Sequence, residues 1–446
     1  MQDNKNGTNH ASLDQAFALA FQAHQSGDLE TAKSIYQSIL SVIPNEVSAL
    51  HFLGIALHQS GDSDGAIDAI ERSLSLDPNP QLDRYSNFTR VLLEAGHYEK
   101  AAENYSRVLK LSPTNADVHN NFGVLLLAQK KYDEATATLK KALSINPLHA
   151  EAHYNLGEVL SMQGSKEECI PLYEKALTLK PEHIGAKKKL SFAYYTLGKL
   201  DKAADVYRRW LEQEPDNPIA RHHLAACTQE AVPTRADDAY IESTFDDFAE
   251  SFDSQLGLLN YRGPQLLADV IRRVCGTASE QFVILDAGCG TGLCGPLIAD
   301  YAKQLIGVDL SSHMLTKASV RNIYDELIKA ELTSYLQSQS NAFDLILSAD
   351  TLVYFGALEE LFKATRNALR KNGYLFFTVE SYNPESATDV GYCIQPHGRY
   401  SHAETYLRNT LIATGFEIIS IEPVTTRSEG GTPVSGFAVS CRAAAV

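Results

Sequence analysis

The sequence lacks long apolar runs, and its cysteines show none of the spacings that mark a metal or redox motif. Seven cysteines among 446 residues include no Cys-x-x-Cys pair, which favours reduced thiols over a disulfide framework. His223 and Cys227 lie four apart on a predicted helix, but a two-ligand pair is rarely a metal site, so we predict none. No apolar stretch reaches the roughly 18 residues of a membrane span, and the polar first residues lack the apolar segment of a signal peptide. These absences predict a cytoplasmic protein.

A surplus of basic residues is also missing. The chain has 39 basic and 55 acidic residues and a formal net charge of −16. Nucleic acids and anionic membranes bind basic surfaces, so we expect neither of them as a partner. The apolar fraction of 44% is ordinary for a globular protein, and the length predicts two or three domains.

The first half of the chain repeats with a period of 34 residues, apart from one insertion. Small residues recur at the eighth and twentieth positions, where two helices would cross closely, and a proline ends the second helix. This pattern resembles the tetratricopeptide repeat. It predicts six repeats over 13–217 and a capping helix at Pro218–Thr228. The repeat frames start at Leu13, Val47, Leu82, Ala116, Ala150 and Ile184.

Stacked helix pairs of this kind leave a concave groove lined by the first helix of each pair. Three consecutive repeats carry an asparagine at the same position of that helix, namely Asn87, Asn121 and Asn155. An amide both donates and accepts hydrogen bonds, so such a ladder could hold the backbone of an extended peptide. The resemblance to peptide-binding grooves of the O-GlcNAc transferase type implies this use. The alternative is that these amides face only water.

The second half contains an apolar strand that ends in Asp286 and is followed by three alternating glycines. A second apolar strand ends in Asp309. A strand, a glycine turn, a helix and an acid-ended strand are typical of half a nucleotide-binding α/β domain. The spacing Gly290-x-Gly292-x-x-Gly295 also fits a dinucleotide, but Asp286 would repel a pyrophosphate and favours a cationic group. The three glycines are Gly288, Gly290 and Gly292.

Further motifs make residues 235–445 resemble the class I S-adenosylmethionine-dependent methyltransferases. The resemblance implies S-adenosyl-L-methionine as the cofactor and a seven-stranded, Rossmann-like sheet with one antiparallel strand. It also implies that the glycine turn holds the methionine part of the cofactor and that Asp309 binds the ribose hydroxyls. The cofactor-binding residues implied in this way are Asp286, Gly288, Gly290, Gly292, Asp309, Leu310, Met314, Glu331, Leu332 and Tyr261.

Residues that would meet the methyl acceptor follow the fourth and fifth predicted strands. Asp350 and Tyr354 stand at the predicted mouth of the site. A loop after the fifth strand, where the resemblance implies the substrate pocket, carries His397, Arg399 and His402. We predict that Arg399 and His397 bind substrate. A base is needed only if the acceptor must lose a proton. The candidates for catalysis are His402, Tyr354 and Asp350, with Arg427 and Glu429 as weaker candidates for the site.

The predicted order is a flexible segment at 1–12, an all-α repeat superhelix at 13–230, linker and lid helices at 231–280, and an α/β methyltransferase core at 281–446. We predict a methyltransferase whose repeats recruit a peptide or protein. Two alternatives stay open at this point. The acceptor could be a small molecule with the repeats serving assembly alone, or the chain could be a non-catalytic repeat scaffold.

Overall fold

The computed structural model describes residues 4–278, 280–384 and 390–444, with side chains from Leu13 onward. These residues form two compact units, which divide between Ala193 and Tyr194. In the described part of the chain, no helix is long and apolar enough to cross a membrane.

The first unit consists of antiparallel helix pairs. From the second repeat to the sixth, the first helix of each pair begins at the residue where the sequence frame predicts it, whereas α1 begins at Asn4, within the segment expected to be flexible. The helices are α1 (Asn4–Gln25), α2 (Leu29–Val42), α3 (Val47–Gln59), α4 (Ser63–Leu76), α5 (Leu82–Glu94), α6 (Tyr98–Leu111), α7 (Ala116–Ala128), α8 (Tyr132–Ile145), α9 (Ala150–Met162), α10 (Lys166–Leu179) and α11 (Ile184–Thr196), whose last residues belong to the second unit.

Glycine at the eighth repeat position explains how closely the paired helices cross. A Cβ placed on Gly123 would lie 2.5 Å from Leu139 Cγ, and one on Gly157 would lie 2.6 Å from Tyr173 Cε1. Interiors are packed too tightly to absorb such an overlap without moving the helices apart. The small residue therefore fixes the spacing of each pair.

The second unit contains the end of the repeat region and a mixed sheet with its helices. The predicted capping helix is found at the predicted residues. Helices and strands in chain order are α12 (Leu200–Gln213), α13 (Pro218–Thr228), α14 (Asp238–Phe248), α15 (Phe252–Leu258), α16 (Gly263–Cys275), β1 (Phe282–Ala287), α17 (Gly295–Ile298), β2 (Ala302–Asp309), α18 (Ser312–Val320), β3 (Glu326–Lys329), α19 (Leu332–Gln337), β4 (Phe343–Ser348), α20 (Glu359–Ala368), β5 (Leu369–Ser381), β6 (Tyr392–Ile394), β7 (Tyr400–His402), α21 (Glu404–Ala413), β8 (Phe416–Glu429) and β9 (Thr432–Ala443).

The central part of the sheet has the predicted class I topology. Strands β3, β2, β1, β4 and β5 are parallel neighbours in that order, and β9 pairs antiparallel with both β5 and β8. Two short strands extend the predicted seven to nine among the described residues. These are β6 and β7, a hairpin that pairs with the end of β5. The segment predicted as a loop is therefore partly a hairpin.

The sheet is buried on both faces, as expected for parallel strands. Ile284 packs on the face covered by Leu267 of α16. Its neighbour Leu285 packs on the opposite face with Phe362 of α20. Because these strands are parallel, their carboxyl ends lie at one edge of the sheet. Open α/β sheets bind ligands at that edge.

Candidate functional site

The turn after β1 is shaped by glycines at positive φ. Gly288 has a φ of +76°, and a Cβ there would lie 2.1 Å from Thr351 Oγ1. Gly290 has a φ of +55°, and among the described residues a Cβ there would meet only Phe252, at 4.0 Å. Gly288 is therefore required by packing. Gly290 faces open space, so a ligand can approach its backbone.

Asp309, at the end of β2, is oriented by backbone donors on both of its oxygens. Gly290 N donates to Oδ2 at 2.9 Å, and Ser311 N donates to Oδ1 at 2.8 Å. Burial raises the pKa of this carboxyl, while the backbone donors oppose that effect. Each carboxylate oxygen has a second acceptor site, so the side chain can still accept hydrogen bonds from a pair of hydroxyls.

Asp286 is buried at the end of β1, with 1% of its surface exposed. Burial raises its pKa to about 7, although the Tyr324 hydroxyl, which donates to Oδ2 at 2.6 Å, lowers it. A buried carboxyl at this point disfavours a pyrophosphate and suits a cationic group. Tyr324 carried no sequence signal, since it lies between α18 and β3 outside any motif.

The remaining predicted cofactor residues lie around this edge in different ways. Met314 is buried, and Leu332 packs into the core of the sheet. Glu331 caps α19, because its two oxygens accept from Thr333 N at 2.9 Å and Ser334 N at 2.8 Å. Each of its oxygens thereby accepts one backbone donor of the helix. Leu310 is half-buried beside Asp309.

Helices α14 and α15 lie over the glycine turn. Asp246 of α14 accepts from Ser311 Oγ at 2.5 Å. Asp253 of α15 accepts from Thr291 Oγ1 at 2.5 Å and pairs with Arg321 at 2.5 Å. Two further ion pairs have the same polarity, with the acid on the helix segment and the base on the sheet domain. They are Glu250–Lys317 and Glu242–Lys329.

A second polar group lies where β4, β5, β7 and β8 bring their ends together. Arg427 Nη1 is 2.8 Å from Asp350 Oδ2, and its Nε is 2.7 Å from Glu429 Oε1. Arg427 Nη2 also pairs with Glu380. Arg399 Nε lies 2.6 Å from Glu380 Oε1, and its Nη2 lies 2.5 Å from Glu429 Oε1. We call these five residues the arginine cluster.

The cluster contains Asp350 in an uncommon backbone conformation. Its φ is +54°, which non-glycine residues rarely adopt and which recurs at functional sites. Burial raises the pKa of Asp350, and the Arg427 guanidinium opposes that effect. The sequence drew attention to Asp350, Arg399, Arg427 and Glu429, whereas Glu380 looked only like the end of a strand.

Comparison with known families agrees with this geometry. Residues 285–377 match a methyltransferase domain model. Tetratricopeptide repeat models match residues 47–80, 92–141, 123–164, 150–183 and 167–227. This protein joins tetratricopeptide repeats to a class I methyltransferase domain. The cofactor of this domain class is S-adenosyl-L-methionine. The open glycine turn and the oriented Asp309 fit it better than they fit a pyrophosphate.

Individual curated methyltransferases are similar to part of this chain. Methyltransferase-like protein 27 of Homo sapiens is 34% identical over 110 residues, 24% of this chain and 45% of that protein. Malonyl-[acyl-carrier protein] O-methyltransferase of Yersinia pestis is 28% identical over 138 residues, 30% of this chain and 49% of that protein. The chain thus spans about half the length of these curated relatives. The crystal structure of YrrB, a TPR protein with an unusual peptide-binding site, matches with a TM-score of 0.35 and 22% identity over 38% of this chain and 88% of that chain.

Three aromatic or imidazole side chains of the methyltransferase domain surround the arginine cluster. His397 Nε2 is 3.5 Å from Glu380 Oε2. Burial and the Arg399 charge lower the pKa of His397 to about 4, so its imidazole is neutral near pH 7. Burial raises the pKa of Tyr354 to about 12, and its ring packs edge-on against Phe245 of α14. Tyr261 lies close enough to Asp350 for that charge to add to the burial that raises the tyrosine pKa.

The structure argues against His402 as a catalytic base. It stands on β7 with 0% of its surface exposed, and its Nε2 lies 3.1 Å from the Gly356 carbonyl oxygen. Burial lowers its pKa to about 4. The sequence predicted a loop at this position, but β7 pairs with β5 and leaves His402 stacked on Tyr406 inside the domain.

The predicted asparagine ladder is partly engaged between repeats. Asn87 Nδ2 lies 3.2 Å from His51 Nε2, and Asn155 Nδ2 donates to Asn120 Oδ1 at 2.8 Å. Asn121 is exposed and accepts from Asn120 at 3.2 Å. Asn87 and Asn155 therefore link neighbouring repeats, whereas Asn121 bonds within its own helix, and binding of a peptide by these amides stays a prediction.

Proposed function

We propose that this protein is an S-adenosylmethionine-dependent methyltransferase whose repeats recruit a polypeptide acceptor or a protein partner. The observation that carries the proposal is the carboxylate of Asp309. It is partly buried, held by two backbone donors, and adjacent to a glycine whose missing side chain leaves an open approach. Such preorganised acceptors suit a ligand that presents two hydroxyls.

The residues of the turn would divide the cofactor between them. Asp309 would accept from the ribose hydroxyls, and Leu310 and Met314 would pack near the base. Asp286, held by the Tyr324 hydroxyl, would face the amino end. When bound, the cofactor supplies a methyl group that is already activated on a sulfonium. The protein's own task is then mainly alignment and exclusion of water.

The arginine cluster and its tyrosines would form the acceptor side. Arg399, His397 and Tyr354 are proposed to contact the acceptor, and Asp350 is proposed to orient it through a carboxylate that Arg427 holds at 2.8 Å. Neither histidine near the cluster is a good base, because burial keeps both imidazoles neutral with low pKa values. An acceptor atom that is nucleophilic at neutral pH without first losing a proton fits such a site best.

Calorimetric titration with S-adenosylmethionine tests the cofactor half. Asp309→Asn should weaken binding about 100-fold, since it replaces an acceptor with a donor against the ribose hydroxyls. Asp300→Asn, at an exposed acid of the same domain, is the matched control and should bind as the wild type does. Absence of binding by the wild type would refute the enzyme proposal.

The acceptor class needs a separate experiment. The protein is incubated with radiolabelled S-adenosylmethionine in cell lysate, and the polypeptide, nucleic-acid and metabolite fractions are counted. Label in polypeptides that falls when Asn87, Asn121 and Asn155 become alanine supports recruitment by the repeats. Label confined to metabolites and unchanged in that variant supports the small-molecule alternative.

A further inference from the structure

The β6–β7 hairpin is held by the end of the repeat region as well as by the sheet. His222 of α13 has its Nε2 at 2.7 Å from the Gly398 carbonyl oxygen. A carbonyl oxygen only accepts, so Nε2 carries the proton and donates. Gln229, the C-cap of α13, donates through Nε2 to the Ile394 carbonyl at 2.9 Å. One helix therefore holds both the turn and the first strand of the hairpin.

Packing around Gly398 leaves the turn little freedom. His222 is buried and stacks on Tyr240, with ring centroids 4.0 Å apart. Gly398 has a φ of +91°, and a Cβ there would lie 2.9 Å from His223 Cε1 and 3.1 Å from Tyr240 Oη. Close packing of this kind transmits a displacement of α13 directly to the turn.

The residue that follows this turn belongs to the arginine cluster. Arg399 lies one peptide bond from the carbonyl that His222 holds, and its guanidinium reaches Glu380 at 2.6 Å and Glu429 at 2.5 Å. The Arg399 amide also donates to His397 Nδ1 at 3.2 Å. A shift of the turn by about 1 Å would therefore disturb both proposed acceptor contacts, and misplacements of that size can cost about 100-fold in rate.

A residue near the start of the second unit lies within electrostatic range of the same cluster. Tyr195, in the last turn of α11, has its pKa raised mainly by burial, with a further contribution from the Glu429 charge and an opposing one from Arg399. The last turn of α11, as well as α13, therefore lies beside the acceptor side of the site.

We propose that the capping helix α13 is part of the acceptor-binding site. In this proposal His222 is a positioning residue for Arg399 and acts through the Gly398 carbonyl. The inference rests on the proposed function for its catalytic consequence. It does not involve Asp309 or the glycine turn, so the two halves of the site respond separately to a change at His222.

The experiment compares His222→Ala and His222→Gln in the full chain, because glutamine can still donate to the carbonyl. The matched control is His119→Ala, which removes another buried histidine whose Nε2 contacts a carbonyl, that of Pro113 at 3.1 Å, within the repeats. Three quantities are measured: hydrogen exchange of the amides of 392–402, the dissociation constant of S-adenosylmethionine, and methyl transfer to the lysate acceptor fraction.

For His222→Ala we expect at least tenfold faster exchange over 392–402, cofactor affinity within twofold of the wild type, and methyl transfer reduced at least tenfold with a raised KM for the acceptor. His222→Gln should restore most of the exchange protection and transfer, and His119→Ala should change neither. Unchanged exchange at 392–402 would overturn the positioning role, and so would faster exchange with undiminished transfer. A wild type that binds no cofactor would refute the proposed function alone, since hydrogen exchange reads the hairpin without it.

Discussion

The two sides of the candidate site are built in different ways. The cofactor side is mainly local, because Asp286, Gly290 and Asp309 belong to one strand–turn–helix–strand unit and nearby backbone groups hold Asp309. The acceptor side is assembled from four separate strands and depends on charged side chains that satisfy one another. A site held by local backbone groups can be recognised as a sequence motif. The pairing of charged residues from distant segments cannot. We therefore expect the charge cluster to be sensitive mainly in its stability, and the glycine turn mainly in its affinity for the cofactor.

The largest effect should come from Arg427→Met. The change leaves Glu380, whose side chain is 4% exposed, without one of its cations and removes the ion pairs to Asp350 and Glu429. Breaking a buried pair from one side typically costs about 3–5 kcal/mol. Urea unfolding should show that loss. Arg442→Met, which removes an exposed pair with Glu417, should show little. Equal stability of the two variants would contradict the cluster's structural role.

Gly290→Leu should act on the cofactor side with a smaller effect on folding. The new side chain would enter the open space at the turn, so we expect S-adenosylmethionine binding to weaken at least about 100-fold, while the positive φ costs about 1–2 kcal/mol of stability. Gly198, which has a comparable φ of +69° and no atom of a described residue within 4 Å of an added Cβ, serves as the control in the variant Gly198→Leu. Equal loss of cofactor affinity in both variants would show that strain alone accounts for the effect.

Stability should depend on pH through Asp286. Its pKa in the folded protein is about 7, above the ordinary value of 3.8, so the folded state binds more protons between those values. Stability of the ligand-free protein therefore falls as pH rises from about 4 to about 7 and levels off above that range. Asp286→Asn should remove about 1–3 kcal/mol of this fall. Thermal unfolding at pH 5 and pH 8 measures it, and parallel slopes for the two proteins would count against a raised pKa.

The smallest effect is expected from the helices over the turn. Asp253→Asn removes the charge that pairs with Arg321 at 2.5 Å, at a site about half exposed to water. Cofactor affinity should fall about threefold to tenfold, and less at high salt, because screening already weakens exposed pairs. Asp269→Asn, in an exposed pair within α16, should leave affinity unchanged. Calorimetry at two salt concentrations distinguishes these outcomes.

The sequence was informative wherever a residue's role depends on neighbours along the chain. The repeat frame located the starts of α3, α5, α7, α9 and α11, and the capping helix Pro218–Thr228 was found at its predicted residues. Helix starts depend on local capping and on a small residue at a fixed offset, so a period can reveal them.

Prediction failed where distant segments meet. His402 looked accessible because a loop was expected, but pairing of β7 with β5 buries it. Tyr324 and Glu380 belong to no motif, and their partners Asp286 and Arg427 are 38 and 47 residues away in sequence. A charged side chain that pairs with a strand distant in sequence produces no local sequence pattern, because the order of strands in the sheet determines its partner.

The hydrogen bonds from α13 to the β6–β7 hairpin determine where the chain can be divided to make a chimera. A chimera that replaces the repeats by cutting at residue 230 would separate His222 and Gln229 from the carbonyls of Gly398 and Ile394. A cut at the boundary between Ala193 and Tyr194 keeps both bonds inside one compact unit. The module for exchange is therefore the sheet domain together with α12, α13 and the last residues of α11.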